Sequence, residues 1–144
     1  MMRAAPDPGG LKAALDGLVR FDSQNPPGRE KEAAAFVLGE LQAMGCRAEA
    51  VEFQPGRVNV AGIFENGPGP TFAFNTHLDV VPAGDGWTSD PFRLREAGAR
   101  LFARGACDAK GPLVAMLEAM RRLIAGRDGW SGTLLGVFVA DEET

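Results

Sequence analysis

Thr71-Phe-Ala-Phe-Asn-Thr-His-Leu-Asp-Val-Val81 alternates at period two, with Phe72, Phe74, Leu78 and Val80 on one face and Asn75, His77 and Asp79 on the other. That period is the signature of a β-strand, and it places a histidine and an aspartate side by side near the carboxyl end. Downstream, Leu113, Met116, Leu117, Met120 and Ile124 recur at helical spacing, predicting a helix from about Ala109 to Ala125 closed by Gly126. Thr133 to Ala140 is a continuous apolar run, which predicts a buried strand needing cover on both faces. Upstream, Asp7-Pro8 supplies an N-cap and a first-turn proline for a helix carrying Leu11, Ala14, Leu15 and Leu18. Ser23 to Gly28 is a loop by composition. A second helix is predicted from Arg29 to Met44, with Ala33, Phe36, Val37, Leu41 and Met44 as its apolar face and Gly45 as its C-cap. Strands are predicted over Arg47–Phe53 and Val58–Phe64 around the turn Gln54-Pro55-Gly56, and two shorter ones over Phe92–Leu94 and Leu101–Ala103 around Gly98. Helices, strands, helix and strand in that order predict an α/β fold.

Composition narrows the function classes. The chain has 144 residues, enough for one domain or a piece of one. Its 45% apolar and 24% charged residues are ordinary for a globular chain, and its 19 glycines and 10 prolines predict many tight turns. The net charge of −4 comes without a Lys/Arg run, so no nucleic-acid partner is expected. The longest apolar run, Leu134 to Ala140, is far below the ~18 residues of a membrane helix, so no membrane partner is expected either. Met-Met-Arg-Ala-Ala-Pro-Asp-Pro at the start lacks the apolar core of a signal peptide. Two cysteines, Cys46 and Cys107, form neither a disulfide framework nor a CxxC pair, and a reduced, cytoplasmic location is the expectation.

Three clusters carry candidate chemistry: His77-Leu78-Asp79, Asp108-Ala109-Lys110-Gly111 and Asp141-Glu142-Glu143. Each falls at a strand end or a helix start, where ligands of open α/β sheets bind, so they could converge in space. A metal-binding imidazole needs an acceptor on its second nitrogen, and Asp79 is placed to supply one; the plain alternative is a hydrogen-bonded surface histidine. Asp108 is either the N-cap of the following helix or a carboxylate bridging two metal ions. Cys107 beside it reads as a small buried filler. If the chain turns as it leaves the strand, one of Glu142 and Glu143 can bind metal while the other serves as a general base. The alternative is a solvated acidic strand end. Lys110 could anchor an anion and Trp87 could wall a pocket, although a surface charge and a packing aromatic are the expected roles.

Taken together the clusters are specific. Asn75-Thr-His-Leu-Asp-Val-Val-Pro-Ala-Gly-Asp-Gly-Trp-Thr-Ser-Asp-Pro-Phe92 resembles the first metal motif of the M20 metallopeptidase family, which includes acetylornithine deacetylase, succinyl-diaminopimelate desuccinylase, aminoacylases and glutamate carboxypeptidases. Arg104-Gly-Ala-Cys-Asp-Ala-Lys-Gly-Pro112 is similar to the second motif and Asp141-Glu-Glu-Thr144 to the third. The Ser23–Gly28 loop also looks like the family's N-terminal region. The resemblance implies the N-terminal part of a mixed-sheet, zinc-peptidase-like catalytic domain with flanking helices, spanning residues 1–144 and lacking the family's dimerisation domain. By position it implies that His77 binds one zinc ion, Asp108 bridges two, Glu143 binds the other, Asp79 orients His77 and Glu142 is the general acid/base. It also implies a cis peptide at Asp108-Ala109. Zinc is the implied metal, and cobalt or manganese suits the same ligands. The implied reaction is hydrolysis of the amide in an N-acyl amino acid or small peptide. Dimerisation is expected only of a longer protein.

The chain holds one histidine, and three candidate ligands do not complete two zinc sites. The expectation is therefore the N-terminal portion of a longer enzyme, with little or no activity alone. Two other readings stand beside it. One is a non-enzymatic remnant that binds a partner, its last strand completed by strand addition. The other is a related two-zinc aminopeptidase. Joint presence of His77, Asp108, Glu142 and Glu143 favours descent from a working enzyme.

Overall fold

Helix α1 (Pro8–Val19) begins where Asp7 accepts hydrogen bonds from the amides of Gly9 and Gly10, at 3.0 Å each. The computed structural model describes residues 7–144, so the leader reading of the first six residues lies outside the described residues. Helix α2 (Lys31–Ala43) buries Ala33, Ala34, Val37 and Leu41. It stops at Gly45, whose φ of +83° a side-chain-bearing residue rarely adopts. An antiparallel hairpin follows, β1 (Arg47–Gln54) and β2 (Arg57–Asn66), then β3 (Thr71–His77). A separate two-stranded ribbon, β4 (Arg95–Ala97) and β5 (Arg100–Phe102), precedes α3 (Lys110–Ala125), a short 3₁₀ turn (Arg127–Gly129) and β6 (Gly132–Val139). The ribbon exists as expected, but its first strand starts later than Phe92–Leu94.

The main sheet runs β1-β2-β6-β3, with β2 antiparallel and β3 parallel to β6. It is a mixed sheet with flanking helices, in an α/β fold. Among the described residues all its helical cover lies on one face. Gly62 of β2 pairs with Gly136 of β6, and a Cβ on either would press on Leu41 of α2 or Met120 of α3. These paired glycines seat two helices against the sheet centre. Leu134 and Phe138 share that face and are buried, whereas Leu135 and Val137 on the other face are only half-buried. The expected cover on both faces of β6 is thus met on one. The period-two reading of β3 holds as far as His77, where the strand ends short of the expected Val81, and Phe72 is 59% exposed because β3 is an edge strand. No helix among the described residues is long and apolar enough to cross a membrane.

Two side chains correct the sequence reading. Lys110 is no surface charge: it is 1% exposed, and its Nζ donates to the Phe21 carbonyl at 2.7 Å. Burial pushes its pKa down to about 8, against the pull of nearby Asp22. Cys107 is exposed, not a buried filler, while Cys46 is buried. Trp87 matches a packing aromatic, with Nε1 bonded to the Ala83 carbonyl at 3.0 Å and the Arg104 guanidinium over its ring.

Candidate metal centre

The parallel pairing of β3 with β6 sets His77 opposite Val139, so both strands end at one edge of the sheet. Continuing past β3, Leu78 N donates to the Val139 carbonyl at 2.7 Å, and the Ser23–Asn25 segment pairs alongside Val80. The loop that composition marks as irregular therefore borders the site. At the end of β6 the chain turns at Asp141, whose φ is +69°. The turn prevents Glu142 and Glu143 from facing opposite ways as they would on a strand. Asp108 lies just before α3, and the peptide that follows it, Asp108-Ala109, is cis, as expected. It is not an N-cap: Ala109 occupies that position without a side-chain bond.

These three elements bring the candidate residues together. One ligand atom each from His77, Asp108 and Glu143 lies within 4.8 Å of the others. His77 Nδ1 donates to the main-chain carbonyl of Asp79 at 3.0 Å, and its Nε2 lies 3.0 Å from Asp108 Oδ1. The Glu142 carboxylate stands 3.9 Å from the same Nε2. His77 is buried, while the Asp108 and Glu142 side chains are 76% and 57% exposed, so the cluster opens to solvent on the acidic side. Asp79 touches the ring with its carboxylate only at 3.5 Å, so its nearer acceptor for the ring is its own backbone. The Asp79 carboxylate also accepts from Asn25 Nδ2 at 2.8 Å and from the Glu143 amide at 3.0 Å.

Charge follows from this crowding. The Asp79 carboxylate beside the ring raises the His77 pKa to about 9; burial opposes that rise and Asp108 adds to it. Burial would raise Asp79, but the adjacent His77 ring and donation from Asn25 and the Glu143 amide hold it well below the carboxylate range. Burial raises Glu143, and the neighbouring Asp108, Asp79 and Glu142 carboxylates add to this against the pull of His77. One imidazole nitrogen and several crowded carboxylate oxygens are the donor set of a borderline or hard divalent cation. Nδ1 is held by oxygen acceptors, which leaves Nε2 as the ring's ligand atom. The residues fit a metal ion.

Sequence reading missed Asn25, Glu30, Arg57 and Asp141 as partners of the site. Asn25 and Asp141 lay inside stretches already singled out. Arg57 and Glu30 carried no local signal.

A family model for peptidase family M20/M25/M40 matches residues 73–144. The chain belongs to this family. The three clusters of the M20 chain all lie in the matched half. Among solved structures, human carnosine dipeptidase 1 is similar at 25% identity and TM-score 0.79, with 94% of this chain and 32% of that one covered. An M20 family metallo-carboxypeptidase from Sulfolobus solfataricus aligns at TM-score 0.82 and 23% identity, covering 96% of this chain and 32% of that one. A dipeptidase from Saccharomyces cerevisiae aligns at TM-score 0.76 and 19% identity, covering 94% and 33% respectively. The M20 chain spans about a third of the length of these structures.

Proposed function

We propose that residues 1–144 are the N-terminal part of the catalytic domain of a zinc-dependent hydrolase that cleaves the amide bond of N-acyl amino acids or small peptides. The observation that carries it is the convergence of His77, Asp108 and Glu143 with Glu142 beside them. A dipeptide is itself an N-acyl amino acid, so one chemistry covers the similar dipeptidases and carboxypeptidase and a deacylase alike. The resemblance of His77–Trp87 to the first motif favours a deacylase of the acetylornithine or succinyl-diaminopimelate kind. The two unpaired cysteines agree with a cytoplasmic setting.

In this reading His77, Asp108 and Glu143 would hold metal, with further ligands supplied from outside these residues. Bound zinc would lower the pKa of a water and polarise the acyl carbonyl. Glu142, exposed and close to the ligands, takes the proton of the attacking water on a carboxylate oxygen and returns it to the leaving amine. Asp79 orients His77 through its main-chain carbonyl and its carboxylate.

The test compares wild type and Glu142→Gln, each within the complete protein that carries these residues, on N-acetyl amino acids, N-succinyl amino acids and dipeptides. Loss of about 10²–10⁴ in kcat with zinc binding retained supports the reading. Undiminished turnover by the variant removes Glu142 from the chemistry. The substrate turned over fastest separates deacylase from dipeptidase.

A further inference from the structure

Asp141 is the only non-glycine residue with positive φ among the described residues, and it immediately precedes Glu142 and Glu143. A left-handed aspartate persists where its surroundings hold it. Here its carboxylate accepts from the Arg57 guanidinium, from Asn25 Nδ2 at 3.0 Å and from Thr144 Oγ1 at 2.8 Å. Arg57 reaches this turn by strand pairing. β2 and β6 are antiparallel with Val60 opposite Phe138, and the same register continued three residues sets Arg57 opposite Asp141. A second guanidinium nitrogen, Nη2, donates to Asn25 Oδ1 at 2.8 Å. Behind it, Nη1 lies 3.8 Å from Glu30, whose fully buried carboxylate oxygens have no hydrogen-bond partner. Asn25, also fully buried, passes the contact on: its Nδ2 donates to Asp79, and Asp79 accepts the Glu143 amide.

We infer that Arg57, seated on buried Glu30 and gripping both Asn25 and Asp141, is a positioning residue that fixes the turn delivering Glu143 to His77 and Asp108. A planar guanidinium suits this task because two fixed arms serve two acceptors while the charge answers Glu30; a lysine at 57 would supply one point donor. The consequence for cation affinity rests on the metal-dependent reading above, whereas the ordering of the turn does not.

The experiment uses the full chain as wild type, Arg57→Lys and Arg57→Met, with circular dichroism to establish folding. Amide exchange is followed by NMR in the absence of metal, and Co²⁺ is titrated with its visible spectrum as readout. In Arg57→Met the Glu143 amide is expected to exchange at least about tenfold faster while the Leu134 and Phe138 amides of β6 keep their rates. Co²⁺ affinity is expected to fall roughly 10–100-fold, with Arg57→Lys intermediate in both measurements. Unchanged Glu143 exchange in a folded Arg57→Met overturns the inference, as does uniform acceleration of every amide, which marks a merely structural role. Should Arg57→Met not fold, Arg57→Lys decides by the same comparison. Absence of Co²⁺ binding by wild type would mean that His77, Asp108 and Glu143 do not hold a cation without the further ligands, and the exchange rates still decide the role of Arg57.

Discussion

His77 meets oxygen at both ring nitrogens, and this determines how the metal-free protein responds to pH. Its folded pKa of about 9 stands above the ordinary 6.5, chiefly through the Asp79 side chain, so the native state binds the extra proton between those values. The stability from this group is fully present below pH 6.5 and is lost as pH rises through 9. Lys110 has the opposite sign: burial lowers its pKa from 10.5 to about 8, so its contribution rises with pH across that window. Urea unfolding of the metal-free chain should therefore show stability falling from pH 6.5 to 8, and His77→Gln should flatten that fall. An equal slope in the variant would mean that another group titrates. Of the residues involved, His77, Asp79, Asp108, Glu142 and Glu143 were legible because each sits in a short motif at a strand end or helix start. Lys110 was misread because its helical position says nothing of the Phe21 carbonyl waiting beneath it. Arg57 and Glu30 were illegible for a related reason: they meet each other from the start of β2 and the start of α2, and Arg57 meets Asp141 across the β2–β6 pairing, none of which a local pattern reports.

At the level of elements, β6 places neighbours in contrasting environments. Phe138 lies under the helices, while Val137 faces the uncovered side. Phe138→Ala should cost about 3–5 kcal/mol, as expected for a large cavity under a helical layer. Val137→Ala should cost about 1 kcal/mol or less, since its site is already half open to water. Denaturant midpoints of the two variants, read at constant m-value, check the contrast. Helix and strand identities were readable from periodicity and caps, as Asp7 and Gly45 illustrate. Sheet order was not. Period two assigns Phe72 to a face, but only the topology makes β3 an edge and leaves that ring exposed. The glycines at 62 and 136 carry no local signal of their role, which depends on the helices that rest on them.

For the whole molecule, the centre joins parts far apart in sequence: the loop after α1, the start of β2, the end of β3, the turn before α3 and the exit of β6. A cation held by His77, Asp108 and Glu143 would tie the last three together. Added Zn²⁺ should therefore raise stability by RT ln(1 + [Zn²⁺]/Kd), about 2.7 kcal/mol at a hundredfold excess over Kd, and a chelator should reverse it. Calorimetric scans with and without metal check this, and His77→Gln should abolish the gain. The burial of Lys110 has a practical consequence of another kind. Residues 12, 31 and 110 are the chain's lysines, and the one adjoining Asp108 is sealed beneath α1's trailing loop. Lys12 and Lys31 are exposed on α1 and α2, helices that contribute none of the five clustered groups. Among its lysines, amine-directed reagents would thus attach at Lys12 and Lys31 and spare Lys110 in the folded protein.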